Sequence, residues 1–133
     1  MNGTKYTKAD PSVQTMIEKV LTKYDQKFSH LRSDMFVNVF KESQKSTWLG
    51  RIRLTSGFLK IVVEKPIVLE IWKEHWEGST DNQRAYIIYH ELCHVIINDK
   101  TGEFKLRGHD IQDFSEVITQ FGLAGEKIEH ILE

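Results

Sequence analysis

The sequence has few of the residues that cross-link or interrupt a chain: its 133 residues include one cysteine and two prolines. A single cysteine cannot form an internal disulfide, so nothing points to an oxidising compartment. No apolar run approaches the roughly eighteen residues of a membrane span, and the polar N-terminus lacks the apolar stretch of a signal peptide. We therefore expect a cytoplasmic protein that folds as one domain over residues 1–133, with residues 1–9 loose.

The sequence also lacks an excess of charge of one sign. Eighteen Lys and Arg residues against nineteen Asp and Glu residues give a net charge of −1. This balance excludes a globally basic nucleic-acid binder, although Arg51, Arg53, Lys60 and Lys65 fall in one basic strip. The hydrophobic fraction of 40% is typical of a soluble globular protein and argues against disorder.

The first half of the chain predicts a helix followed by a small, mainly antiparallel sheet. Asp10 and Pro11 form a helix-start pattern, and apolar residues then recur every three or four positions over 11–31, which indicates an amphipathic helix. The run 67–71 fits either a strand or the first turn of a helix. Short aromatic and β-branched runs predict the strands, at 35–40, 51–54 and 58–63.

The second half predicts mostly helices. Residues 82–98 are apolar on nearly every side, which is typical of a buried central helix. A turn at 99–102 and a short extended segment at 103–107 follow. Further helices are predicted over about 109–121 and 124–133. The predicted fold class is α+β: an N-terminal helix, a small sheet, a buried helix and following helices.

The predicted central helix contains His90-Glu91-Leu92-Cys93-His94, the H-E-x-x-H pattern of zinc metalloproteases. Residues four apart differ by about 40° around a helix axis, so both imidazoles can converge on one Zn²⁺. Glu91 then stands beside the metal, where it can take a proton from a metal-bound water. Buried polar groups without partners cost about 1–3 kcal/mol each, so a shared metal best explains three of them on an apolar helix. Cys93 points away from this pair and is predicted to be a core residue.

A catalytic zinc usually has three protein ligands and one open position. The metzincin pattern places Gly three and His six residues after the second histidine, where this sequence has Ile97 and Lys100, so that class is excluded. His109 is the first candidate for the third ligand, because it lies at the entry to the next predicted helix. Glu116 and Asp113 are the alternatives on that helix.

Two segments together resemble a known family. His90-Glu91-Leu92-Cys93-His94, with Gly108-His109-Asp110-Ile111-Gln112-Asp113-Phe114 after it, resembles the phage metallopeptidase family, a relative of the SprT-like zinc peptidases. The segment Trp48-Leu49-Gly50-Arg51-Ile52-Arg53-Leu54 resembles the same family. The resemblance implies a minimal zincin-like fold, bound zinc, proteolysis, His109 as third ligand and a bacterial host cytoplasm. SprT-like relatives act on proteins bound to DNA.

The hypothesis from the sequence is a zinc-dependent peptidase in which His90, His94 and His109 hold the metal and Glu91 is the general base. One alternative is a zinc-stabilised protein-binding module without catalysis. The other is a DNA-associated protein that uses the strip from Arg51 to Lys65. Candidates to stabilise the oxyanion are not ranked by the sequence: Tyr86, Tyr89, His75 and Arg107.

Overall fold

A computed structural model describes residues 3–107 of the chain. A single 3-10 turn at Ser33–Met35 precedes the second strand. The helices and strands, in chain order, are β1 (Lys5–Lys8), α1 (Pro11–Lys23), β2 (Phe36–Glu42), β3 (Gly50–Leu54), α2 (Gly57–Val63), β4 (Ile67–Trp72), α3 (Lys73–Glu77), α4 (Asp81–Leu92), β5 (Val95–Ile97) and β6 (Phe104–Leu106).

Four strands form one mixed sheet in the order β1-β2-β4-β3. β2 pairs antiparallel with β1 and parallel with β4, and β3 pairs antiparallel with β4. The parallel pair is allowed because β3 and α2 provide the long connection that parallel neighbours require. β5 and β6 form a separate antiparallel hairpin that lies beside β3.

One hydrophobic core joins α1, α4 and the side of the sheet that faces them. α1 starts where the Asp10 side chain accepts a hydrogen bond from the Ser12 N–H at 2.8 Å, and Pro11 occupies its first turn. Alternate residues of β4, among them Ile67, Leu69 and Ile71, are fully buried on this side. α4 therefore lies against the sheet next to the edge strand β3.

Several predicted elements have different bounds or a different type in the structure. The helix predicted over 11–31 ends at Lys23, and turns follow. The strand predicted over 58–63 is wrong: these residues form α2, none of whose side chains is buried. High β propensity describes side chains that pack on a half-buried sheet, and α2 has no such surface against it. The helix predicted over 82–98 ends at Leu92, and Val95–Ile97 forms a strand.

The remaining predictions for secondary structure divide into three groups. The loose segment predicted for residues 1–9 is wrong for Lys5–Lys8, which pair with β2 as an edge strand. The ambiguous run at 67–71 is the strand β4, and the extended segment at 103–107 contains β6. The two helices predicted over 109–121 and 124–133 lie outside the described residues.

Candidate metal centre

The histidine motif lies at the C-terminal end of α4. The helix starts with a capping box: Thr80 Oγ1 accepts from the Gln83 N–H at 3.2 Å, and Gln83 Oε1 accepts from the Thr80 N–H at 2.8 Å. Its last turn carries His90 and Glu91, and His94 follows two residues after the helix ends. The motif therefore spans the C-terminal end of α4.

His90, Glu91 and His94 form one cluster. Each offers a ligand atom, and these atoms all lie within 4.8 Å of one another. The two imidazole rings stand nearly perpendicular, with centroids 5.1 Å apart. Glu91 and His94 are only 6% and 5% exposed, and His90 is half-buried. Two imidazoles and a carboxylate, held together and shielded from water, match the donor types that bind zinc and similar divalent metals.

The β5–β6 hairpin orients His94. Nδ1 of His94 lies 2.6 Å from the carbonyl oxygen of Arg107, directly after β6. A carbonyl only accepts, so Nδ1 carries the hydrogen and Nε2 has the lone pair that can coordinate a metal. The Arg107 N–H donates in return to the His94 carbonyl at 2.8 Å. Such a carbonyl partner fixes both the tautomer and the ring orientation of a metal-binding histidine.

Tyr86 lies one helical turn before His90, and the two rings stack with centroids 6.2 Å apart and planes 24° apart. Burial raises the pKa of the Tyr86 phenol above its ordinary value of 10.0. The phenol is therefore protonated at neutral pH and can donate a hydrogen bond.

Gly50, at the start of β3, allows α4 to approach the sheet closely. A Cβ atom at this position would lie 3.2 Å from Glu91 Cγ, 3.2 Å from Ile87 Cγ2 and 3.3 Å from Ile71 Cδ1. Gly50 does not have a positive φ, so its backbone conformation does not call for glycine. Glycine is needed here because the close contact leaves no room for a side chain. The backbone of β3 thus forms one wall beside Glu91.

A cavity of about 290 Å³ opens directly onto the cluster. Residues 47–50, just before and at the start of β3, form one side, and α4 forms the other through Tyr86, Ile87, His90 and Glu91. Its walls combine an aromatic and aliphatic surface with a few polar groups, as ligand sites commonly do. A larger cavity of about 940 Å³ lies between β1, β2 and the start of α1 and does not include the cluster.

The structure brings three of the predicted site residues together. His90, Glu91 and His94 converge, and Cys93 is buried as predicted. His109, Glu116 and Asp113 lie outside the described residues. Of the oxyanion candidates, Tyr86 lines the cavity, and Arg107 contacts His94 through its backbone. Tyr89 is buried against Tyr24 and Phe28. His75 stacks on Trp72.

Two contributors to the site were missed from the sequence. Gly50 fits against Glu91, and the Arg107 carbonyl orients His94. A glycine that opens a predicted strand is a signal of close backbone approach, so Gly50 could have been singled out. The Arg107 carbonyl has no such signal in the sequence, because every residue has a backbone carbonyl. Only the fold shows which carbonyl lies next to His94.

Comparison with protein families is consistent with this geometry. A family model described as "Putative phage metallopeptidase" matches residues 4–133. The chain belongs to this family. No curated protein and no solved structure matches it. None of the helices in the described part of this family member has the length and apolar character that crossing a membrane requires.

Proposed function

We propose that this family member is a zinc-dependent peptidase with His90, His94 and His109 as metal ligands and Glu91 as general base. The observation that carries the proposal is the buried convergence of His90, Glu91 and His94 within 4.8 Å. The family description supports peptide-bond hydrolysis as the reaction and a phage protein, which would act in a bacterial host. The donor set fits zinc, which binds imidazole nitrogen and carboxylate oxygen and keeps one position open in catalytic sites.

When bound, zinc would supply a Lewis acid that polarises the scissile carbonyl and activates water. Glu91 accepts the proton of the attacking water and then gives it to the amine nitrogen as the C–N bond breaks. The side chain is suited to this role because it is buried and packs closely beside Gly50 of β3. A carboxylate whose position is set by packing has little need to reorganise during the proton transfers.

The third ligand is proposed from the sequence together with the position of Arg107. The Arg107 carbonyl contacts His94 directly, so the main chain at Arg107 lies beside the cluster. His109 follows only two residues later in the sequence. This short separation supports His109 over Glu116 and Asp113, which follow further along the chain.

The cleft supports a peptide as the substrate. β3 is an edge strand of the sheet, and its first residue, Gly50, lines the cavity beside the cluster together with residues 47–49 just before it. An extended peptide could add to such an edge by main-chain hydrogen bonds. Tyr86 also lines the cavity and keeps its proton, so we assign it as the hydrogen-bond donor to the oxyanion that forms on the scissile carbonyl.

The proposal is tested by measuring zinc per chain and hydrolysis of a denatured protein substrate for the wild type and three variants. We expect one zinc per chain in the wild type, and hydrolysis that a chelator abolishes. Glu91→Gln should keep the metal and lose hydrolysis by a factor of about 100 or more. His109→Ala should lose the metal. His75→Ala is the matched control, because His75 stacks on Trp72 and does not line the cavity.

Each part of the proposal can fail separately. Full zinc content in His109→Ala would move the third ligand to Glu116 or Asp113. Zinc in the wild type without hydrolysis of any substrate would favour a zinc-stabilised binding module. No zinc in the wild type, even after zinc is added back, would refute the metal site and the enzyme with it.

A further inference from the structure

The side of the sheet that faces away from α1 and α4 carries an excess of positive charge. Register places Arg51 of β3 opposite Glu70 of β4, and Arg53 lies two residues along the same strand and on the same side. Lys41 of β2 lies opposite Trp72 on this side. Among the described strand residues of this face, the cations are Lys8, Lys41, Arg51 and Arg53, and the one acid is Glu70.

Glu70 compensates only part of this charge. Arg53 Nε lies 2.9 Å from Glu70 Oε1, and Arg51 Nη2 lies 3.2 Å from Glu70 Oε2. The carboxylate is nearly buried, with 9% of its side chain exposed, whereas the two arginine side chains are 40% and 52% exposed. One carboxylate cannot neutralise two guanidinium groups, and each guanidinium has five N–H donors. Both arginines therefore keep positive charge and donors that face solvent.

Trp48 connects these cations to the metal centre. Lys41 Nζ lies 4.4 Å and Arg51 Cζ lies 5.0 Å from the centre of its ring. Trp48 also lines the cavity that His90 and Glu91 share. Trp48 therefore contacts both the charged surface and the cavity beside the candidate metal centre.

The edge of β3 that does not pair with β4 offers a place where an extended peptide could bind beside these cations. Within residues 3–107 β3 forms a hydrogen-bonded ladder only with β4; the β5–β6 hairpin lies near β3 but does not pair with it. A peptide that adds to this edge presents every second side chain to the same face as Arg51 and Arg53. Opposite charges across neighbouring strands attract, and like charges repel.

We propose that the substrate segment is acidic, with two Asp or Glu side chains at alternate positions that face Arg51 and Arg53 while the peptide lies along β3. This inference rests on the proposed peptidase function and adds its substrate class. A peptide is favoured over a nucleic acid because the two arginines share an edge strand with the cleft, and their spacing of two residues matches an extended peptide.

The test is equilibrium binding of fluorescent peptides to the Glu91→Gln variant, followed by anisotropy, so that turnover does not interfere. The first peptide has two Glu residues separated by one neutral residue. The second has Gln at both positions, and the third has two adjacent Glu residues. We expect the first to bind about tenfold more tightly than the second, the order expected of two opposite-charge cross-strand pairs. The third should bind less tightly than the first.

Further substitutions in the Glu91→Gln background distinguish the effect of where the cations lie from the effect of the net charge of the protein. Arg53→Gln combined with Glu70→Gln removes one charge of each sign and leaves no buried carboxylate unpaired. This pair should abolish the preference for alternate over adjacent Glu residues. Lys41→Gln should lower affinity for both acidic peptides several-fold. Lys19→Gln is the matched control, because Lys19 is exposed on α1, away from β3.

Equal affinity for the Glu and Gln peptides would overturn the proposal. An equal loss of affinity in Lys19→Gln would also overturn it, since diffuse charge would then explain the binding. If a thymidine oligonucleotide bound more tightly than the first peptide and Lys41→Gln abolished this binding, the ligand of this surface would be a nucleic acid and not an acidic peptide. Wild-type protein that binds the first peptide selectively and never cleaves it would refute the peptidase, whereas cleavage of both peptides with equal kcat/KM would refute only the acidic preference.

Discussion

Gly50 and Glu91 are in such close contact that a methyl group on residue 50 would lie 3.2 Å from Glu91 Cγ. The first residue of an edge strand therefore determines where the proposed general base can lie. The same methyl group would also lie 3.2 Å from Ile87 Cγ2 and 3.3 Å from Ile71 Cδ1 at the helix–sheet interface. Packing between α4 and the sheet and placement of the proposed general base thus both depend on the missing side chain of one glycine.

Gly50→Ala should damage activity more than metal binding. The new methyl group must push Glu91 and Ile87 away by a few tenths of an ångström, which costs about 1–3 kcal/mol of folding free energy. Hydrolysis should fall at least about tenfold, because small displacements of a catalytic group are costly. Metal content and thermal unfolding are measured in parallel. Gly78→Ala is the control, since a methyl there meets only ordinary contacts at 3.7 Å or more; equal losses in both variants would contradict the role of Gly50.

Arg107→Pro should weaken metal binding by a factor of about 10 to 100, the range for loss of a group that orients a ligand. Proline removes the N–H that donates to the His94 carbonyl and alters the backbone that presents the Arg107 carbonyl to Nδ1. Arg107→Lys keeps both backbone groups and should retain the wild-type affinity. Competition with a chromogenic chelator measures both values. The orienting role of the hairpin would be refuted if the two variants bound zinc equally.

Removal of the metal should lower the melting temperature, because a ligand that binds only the folded state stabilises it by mass action. At a free zinc concentration a hundred times Kd this stabilisation is about 2.7 kcal/mol. Scanning calorimetry with and without a chelator measures the difference. His94→Ala should show no response to the chelator, and His75→Ala should respond like the wild type. A chelator response that persists in His94→Ala would place the metal elsewhere.

Substitution of apolar residues on α2 should change solubility and leave stability nearly unchanged. Phe58 is 82% and Ile61 is 75% exposed, so their contribution to the core is small. Phe58→Ser with Ile61→Ser should shift the free energy of unfolding by less than about 1 kcal/mol, given about 0.5 kcal/mol for each surface site. Urea unfolding and light scattering test the two effects. A large loss of stability would show that these side chains are covered in the folded protein.

Tyr24→Phe should reduce the sensitivity of the fold to alkaline pH. Burial raises the pKa of the Tyr24 phenol in the folded state above its ordinary value of 10.0. Above about pH 10 the unfolded chain ionises first, so rising pH removes stability from the wild type. The difference in unfolding free energy between the two proteins should stay constant below about pH 9 and change in favour of the variant above pH 10. A constant difference up to pH 12 would contradict this account.

The metal motif and most of the sheet were predictable because both depend on short-range patterns. His90 and His94 are recognised by their spacing, and β2 and β3 by β-branched and aromatic runs between turns. β1 was not recognised, since an edge strand tolerates the polar residues that make Lys5–Lys8 look like a loose end.

The end of α4 shows why boundaries are harder to predict. Val95, Ile96 and Ile97 continue the apolar character of the helix, so their pattern extends the predicted helix to 98. In the folded chain they pair with β6, and the β-branched side chains suit a strand. Contacts such as Gly50 with Glu91 join distant parts of the sequence, and no local pattern encodes them.

The end of α4 at Leu92 also has an electrostatic consequence. The aligned peptide dipoles of an α-helix place about half a negative charge at its C-terminus, and this field is strongest within the last turn. His90 and Glu91 belong to that turn, and His94 follows it. The main chain therefore attracts a cation to the cluster before any coordinate bond forms. An anion such as phosphate would be repelled from the same position, so the direction of one helix favours a cation at the proposed metal site.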